Sequence, residues 1–196
     1  MLAPASPTLC LDFANTLTWR GSAEPSESLR DLDALFAWAE SKAGLDALRD
    51  LRAWAAAHPH KAQALFAEAI ALRETIFRVF ESVAAGAQPR DADFTALRDA
   101  IAAAPPRTRL ARRNGSYGWQ LAAPGPSAPQ LLAPVLWSAA DLLLSAGRHR
   151  IRQCANEKCL WLFVDESKSG TRRWCDMSSC GNRAKAQRHY AKVKRG

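Results

Sequence analysis

Residues 154–159 read Cys-Ala-Asn-Glu-Lys-Cys and residues 175–180 read Cys-Asp-Met-Ser-Ser-Cys, two equally spaced cysteine pairs separated by residues 160–174. Cys154, Cys159, Cys175 and Cys180 offer four thiolates, the donor set that zinc prefers in closed structural sites. A segment this short cannot bury a core of its own, and metal binding lets it fold nevertheless. Two disulfides are the competing use of such pairs, and they require an oxidising compartment. Residues 1–19 show no basic leader, no long apolar stretch and no small-residue cleavage site, and no run reaches the ~18 apolar residues of a membrane helix. The sequence therefore predicts a cytoplasmic protein with no membrane partner, reduced thiols and one structural zinc ion. The fifth cysteine, Cys10, lies between Leu9 and Leu11 and reads as a buried core thiol.

Charge divides the chain. Residues 148–196 hold 13 Lys and Arg against 4 Asp and Glu, a net of +9, while the whole chain is +8, so residues 1–147 carry −1. A near-neutral body at 1–147 joined to a basic segment at 148–196 is the footprint of a polyanion binder, with a solubilising tail as the bland alternative.

The body reads as mostly helical. Leu9 to Leu17 is a strand or a first helical turn. Ser28 and Asp31 have capping-box spacing ahead of Leu32, Leu35, Phe36 and Ala39, with Gly44 at the far end. Leu45, Leu48, Leu51 and Ala55 predict a second helix, residues 61–85 a long third, and residues 91–103 a fourth stopped by Pro105 and Pro106. Asn114-Gly115, between Leu110 and Trp119, predicts a β-hairpin. Residues 130–146 then read as one apolar helix ended by Gly147. No phosphate-cradling glycine loop or nucleophile motif is present, and His58 and His60 flank Pro59 as an exposed turn. Asp12 and Asn15 interrupt an apolar segment, either as local caps or as polar contacts to a small-molecule effector.

In the basic segment, the first cysteine pair, a strand-like run at 160–164 returning along 171–174, the second pair and a helix over 180–194 give the order of a treble clef. Ala186, Tyr190 and Val193 form an apolar stripe suited to packing on that hairpin. Lys185, Arg188, Lys192 and Arg195 form a separate basic face.

Cys154-x4-Cys159, Phe163-Val164-Asp165, Gly170-Thr171-Arg172-Arg173-Trp174-Cys175 and Cys180-Gly181-Asn182-Arg183-Ala184-Lys185 together resemble the CGNR zinc finger. In bacterial proteins that finger follows a domain called ABATE, and Leu11-Asp12-Phe13-Ala14-Asn15-Thr16 is similar to its opening motif. The resemblance implies an α+β protein with a mostly helical N-terminal domain, a small β-hairpin and a treble-clef-like finger. It also implies the four cysteines as zinc ligands and a role in transcription.

The function expected is that of a transcription regulator, not an enzyme. Its finger binds nucleic acid, preferentially DNA, through Arg172, Arg173, Arg183, Lys185, Arg188, Lys192 and Arg195, while the body senses a ligand or mediates assembly. Arg172 and Arg173 are adjacent cations able to reach phosphates, and Arg183 either contacts nucleic acid or pairs internally. The alternatives are an RNA- or ribosome-associated protein, with Trp161 and Trp174 stacking on bases or packing around the finger, and a protein-interaction module. Catalysis ranks last, because four thiolates leave zinc no open position.

Overall fold

The computed structural model describes residues 6–45, 48–113, 115–120 and 123–193. Helix α1 (Leu9–Ala14) buries Leu9, Cys10, Leu11, Phe13 and Ala14, nearly its whole circumference. The ambiguous segment is thus an interior helix. Ser138 fixes its start: the Ser138 hydroxyl accepts from the Cys10 N–H at 3.1 Å and donates to the Pro7 carbonyl at 3.1 Å. Burial pushes the Cys10 thiol up to about 12, so it is an inert core group.

Strands β1 (Leu17–Thr18) and β2 (Ser26–Glu27) form a short ribbon ahead of α2 (Leu32–Lys42). The N-cap of α2 is Asp31, whose carboxylate accepts from the Ala34 N–H at 2.8 Å. Ser28 does not take the capping position its spacing suggested. It lies before the helix, where the Glu27 carboxylate instead receives the neighbouring Leu29 N–H. Gly44 follows with φ +66°, the left-handed turn expected of it.

Helices α3 (Arg49–Ala57) and α4 (Pro59–Ala84) follow, the latter opening on Pro59, where a missing N–H costs nothing. Leu65, Ala69, Leu72, Ile76, Val79 and Phe80 recur every three or four residues along α4 and are buried. The helix is the spine of the molecule, touching α1, α2, α3, α5 (Asp91–Ala103) and α6 (Ala128–Leu131). Strands β3 (Leu110–Arg113) and β4 (Ser116–Trp119) form the hairpin expected around Gly115, with Asn114 outside the described residues.

The apolar helix expected over 130–146 is two helices, α6 and α7 (Ala133–Leu144). Pro134 cannot donate to the preceding turn, so α6 ends at Leu131, Leu132 caps it, and α7 begins with proline in its first turn. Gly147 does not stop a helix either; a 3₁₀ turn over Ala146–Arg150 carries the chain into β5 (Ile151–Gln153).

Strand β5 pairs antiparallel with β6 (Leu162–Val164), Ile151 facing Val164 and Gln153 facing Leu162. Residues 171–174, expected to return against 160–164, are not a strand. The first cysteine pair reverses the chain so tightly that β6 meets β5 first, and a backbone bond from the Ala155 N–H to the Arg173 carbonyl is what ties in the 171–174 arm. Ile151 and Leu162 are fully buried in the same core as Leu9, Phe13 and Phe80. Helix α8 (Asn182–Val193) ends the described chain. Of its expected apolar stripe, Ala186 and Tyr190 are exposed, Tyr190 at 68%, and the Val193 side chain lies outside the described set; among the described residues α8 meets the chain chiefly through the π-turn Met177–Gly181 at its own start. The fold is α+β, mostly helical, with small antiparallel ribbons and a treble-clef-like C-terminal unit.

Candidate metal centre and its seam with the body

The first knuckle closes on backbone bonds from Cys159 and Leu160 to the Asn156 carbonyl, and from Cys154 to the Trp161 carbonyl. Leu160 leaves the turn at φ +58°. Asn156 works twice, accepting from the Lys158 N–H at 3.1 Å and pointing its amide N–H at Cys180 Sγ, 3.5 Å away. The second knuckle is ordered by Asp176, whose carboxylate takes the Ser178 N–H at 3.0 Å and the Ser178 hydroxyl at 2.5 Å. Buried Asp165 organises the intervening loop: it accepts from the Ser167 N–H and hydroxyl and from the Arg172 N–H, and those donors hold its carboxyl below the ordinary range.

Together these turns bring the four cysteine sulfurs within 4.8 Å of one another. The Cys159–Cys175 and Cys175–Cys180 separations are 3.7 and 3.8 Å. A tetrahedral ion with Zn–S bonds of ~2.3 Å spaces its ligands about 3.8 Å apart, so the arrangement fits one zinc ion. The hydrogen bond with Cys175 brings Cys159 down to about 5, the same contact drives Cys175 up, and burial raises Cys154. A divalent ion favours the ionised form of all four.

Trp174, Phe163 and, from the body, Trp19 pack around this cluster. The indole of Trp19 also carries the Arg183 guanidinium over its face at 4.5 Å. Two residues on, Gly21 runs so close to the first knuckle that a Cβ there would lie 1.8 Å from the Glu157 carbonyl oxygen. Asn15 completes the seam: its Nδ2 donates to the Leu162 carbonyl at 2.8 Å and its Oδ1 accepts the Leu162 N–H at 3.0 Å. The Trp161 indole N–H donates to the Asn15 carbonyl at 3.0 Å. Asn15 thus caps the end of α1 through its backbone N–H, as one reading of the sequence expected, while its carboxamide reaches across to Leu162. Asp12 is exposed at the rim of a groove of about 230 Å³ that it lines with Thr8, Trp161 and Glu166; partial desolvation there raises its carboxyl, opposed by Lys42.

The basic candidates separate. Arg172 lies over the Phe163 ring at 4.7 Å and donates to the Trp174 and Cys175 carbonyls, so it braces the second knuckle. Arg173 and Lys185 are exposed, Arg173 lying 5.4 Å from the centre of the Trp174 ring. Arg188 and Lys192 are on α8, with side chains outside the described set, and Arg195 lies outside the described residues altogether. His58 is an exposed turn residue stacked on Trp54, as expected. Sequence reasoning missed Trp19, Gly21 and Asp165. Asp165 alone had a local signal, an Asp two residues before a Ser.

Residues 150–193 match the CGNR zinc finger. Residues 8–146 match ABATE, described as "Putative stress-induced transcription regulator", and the chain belongs to that family. Both are regulator and zinc-finger families rather than enzyme families. No curated protein sequence matches the chain at a significant level. Among the described residues no helix is long and apolar enough to cross a membrane.

Proposed function

We propose that this chain is a cytoplasmic DNA-binding transcription regulator whose basic zinc finger, residues 148–196, grips the phosphate backbone while the body at 1–147 receives a signal or mediates assembly. The observation that carries the reading is the +9 net charge of the finger beside a body of −1. Arg172, Arg173, Arg183 and Lys185 are all exposed and none forms an ion pair among the described residues; Arg173 and Lys185 are the foremost phosphate contacts because the Arg172 guanidinium is engaged by the Trp174 and Cys175 carbonyls and the Arg183 guanidinium by the Trp19 ring. Arg188, Lys192 and Arg195 extend the basic face along the helix, whereas Arg172 and Arg183 chiefly support the finger. Zinc acts structurally by holding the knuckles that present these cations, and it leaves no coordination position for catalysis.

The test is a titration of zinc-loaded protein against duplex DNA and single-stranded RNA at several salt concentrations. Steeply salt-dependent binding, tighter for the duplex, is expected, with Arg173→Ala and Lys185→Ala each lowering the log–log slope by about one unit while keeping zinc. Tighter binding to RNA would favour an RNA-associated role, and salt-insensitive binding to neither would leave a protein-interaction module. The effector reading is supported by the groove beside Asp12, next to the seam. A ligand there would raise the melting temperature of the protein and lose that effect in Asp12→Ala.

A further inference from the structure

The body's near-neutral charge conceals a second basic element. Residues 107–119 contain Arg107, Arg109, Arg112 and Arg113 and no acidic residue, so the rest of 1–147 carries −5. Arg112 and Arg113 lie on β3, and Arg107 and Arg109 on the irregular segment that leads into it. The ribbon is fixed at its base. Arg107 makes two bonds to the Asp141 carboxylate, at 2.6 and 2.7 Å, and sits between the Trp119 and Trp137 rings at 5.6 and 5.8 Å. The Trp137 indole N–H in turn donates to the Pro105 carbonyl.

Beyond that base the ribbon is uncovered. Arg109 and Arg112 are exposed and form no ion pair among the described residues. The register sets Arg112 opposite Tyr117 and Leu110 opposite Trp119, so these four share one face. Tyr117 and Leu110 are each 66% exposed. Trp119 on this face is half-buried against Arg107, whereas Tyr117 is presented to solvent beside a cation.

We infer that the β3–β4 ribbon is a second nucleic-acid contact, in which Arg109 and Arg112 bind backbone phosphates and Tyr117 packs against sugar or base. A two-stranded ribbon has the dimensions to enter a duplex groove, and a cation beside an aromatic suits a phosphate next to a ring. An anionic membrane is the lesser fit, because two isolated apolar side chains bury little area in a bilayer. The inference rests on the nucleic-acid reading of the finger but assigns a separate surface: the ribbon is built on α7, the finger on α1 and α4.

The experiment uses the full zinc-loaded chain and a duplex DNA probe over a salt series, with Arg109→Gln/Arg112→Gln, Arg109→Lys/Arg112→Lys and Arg173→Ala compared with the parent. The Gln pair should lower affinity roughly tenfold at low salt and the slope by about two units, with melting temperature and zinc content unchanged, and the Lys pair should restore most of both. Undiminished binding by the Gln pair would overturn the ribbon assignment while leaving the finger's intact. Loss in the Gln pair with no effect of Arg173→Ala or Lys185→Ala would uphold the ribbon and remove the finger from the interface. No binding of the parent to DNA, or a Gln-pair defect seen with vesicles of equimolar phosphatidylcholine and phosphatidylglycerol but not with DNA, would overturn it as well.

Discussion

Asn15 and Leu162, 147 positions apart, pair as two strand residues do, the Asn15 carboxamide supplying both the donor and the acceptor that the Leu162 main chain requires. A side chain here does the work of a backbone. It satisfies the outer edge of β6, whose other edge is taken by β5, and it does so in a buried setting where unpaired peptide groups are costly.

Asn15→Ala therefore leaves the Leu162 N–H and carbonyl without partners. Urea denaturation should show a loss of about 3 kcal/mol, larger than a surface change produces, with zinc still bound. A loss below about 0.5 kcal/mol would mean that the seam is not closed as described.

Zinc removal should reach beyond the finger. Since Ile151 and Leu162 belong to the body's core, chelation or Cys175→Ser should strip hydrogen-exchange protection from α1 and the facing turns of α4 together with residues 150–193. Protection lost only after residue 150 would contradict this coupling.

Two glycine substitutions separate backbone from side-chain crowding. Gly21→Ala forces a methyl against the Glu157 carbonyl at 1.8 Å, whereas Gly125→Ala meets the movable end of Gln130 at 2.0 Å. The first should cost about 2 kcal/mol or more and speed zinc loss to a chelator; the second should cost well under 1 kcal/mol. Equal effects would remove the close approach at the seam as their cause.

Glu74 gives the pH dependence. Burial alone would raise its carboxyl, but bonds and charge from Arg20 and Arg73 outweigh that and set it below its ordinary 4.5. A depressed folded value means that the contribution is complete above about pH 4.5 and is lost as pH falls through the folded value. Glu74→Gln should thus be less stable than the parent at about pH 6, by on the order of 1 kcal/mol, and the two should converge in denaturation curves once the pH falls below the folded value of Glu74. A gap that persisted at low pH would assign the loss to packing.

Features encoded by local spacing were legible in advance. The cysteine pairs predict the metal cluster, the three-and-four recurrence of Leu65, Ala69, Leu72 and Ile76 predicts α4, and Gly115 marks the β3–β4 turn. What was not legible depends on partners far along the chain. The sequence order suggests that residues 160–164 pair with 171–174, and the tightness of the first knuckle selects 151–153 instead. Asn15 was legible as a cap of α1, but nothing near it in sequence reveals its carboxamide contact with Leu162. Arg183 and Trp19 carry no shared pattern, yet their contact joins α8 to the body. The Ala186–Tyr190 stripe misled for the opposite reason: helical periodicity reports that a face exists, and only tertiary placement decides whether anything covers it.

The burial of Ile151 and Leu162 against α1 and α4 also imposes a timetable on synthesis. As the chain leaves the ribosome, α1 emerges early and stays without its partner strand until residues near 164 have been made. A nascent chain arrested just after α7 would have α1 covered by α4 and α7 but still open on the side that β6 closes, an apolar edge available to chaperones or aggregation.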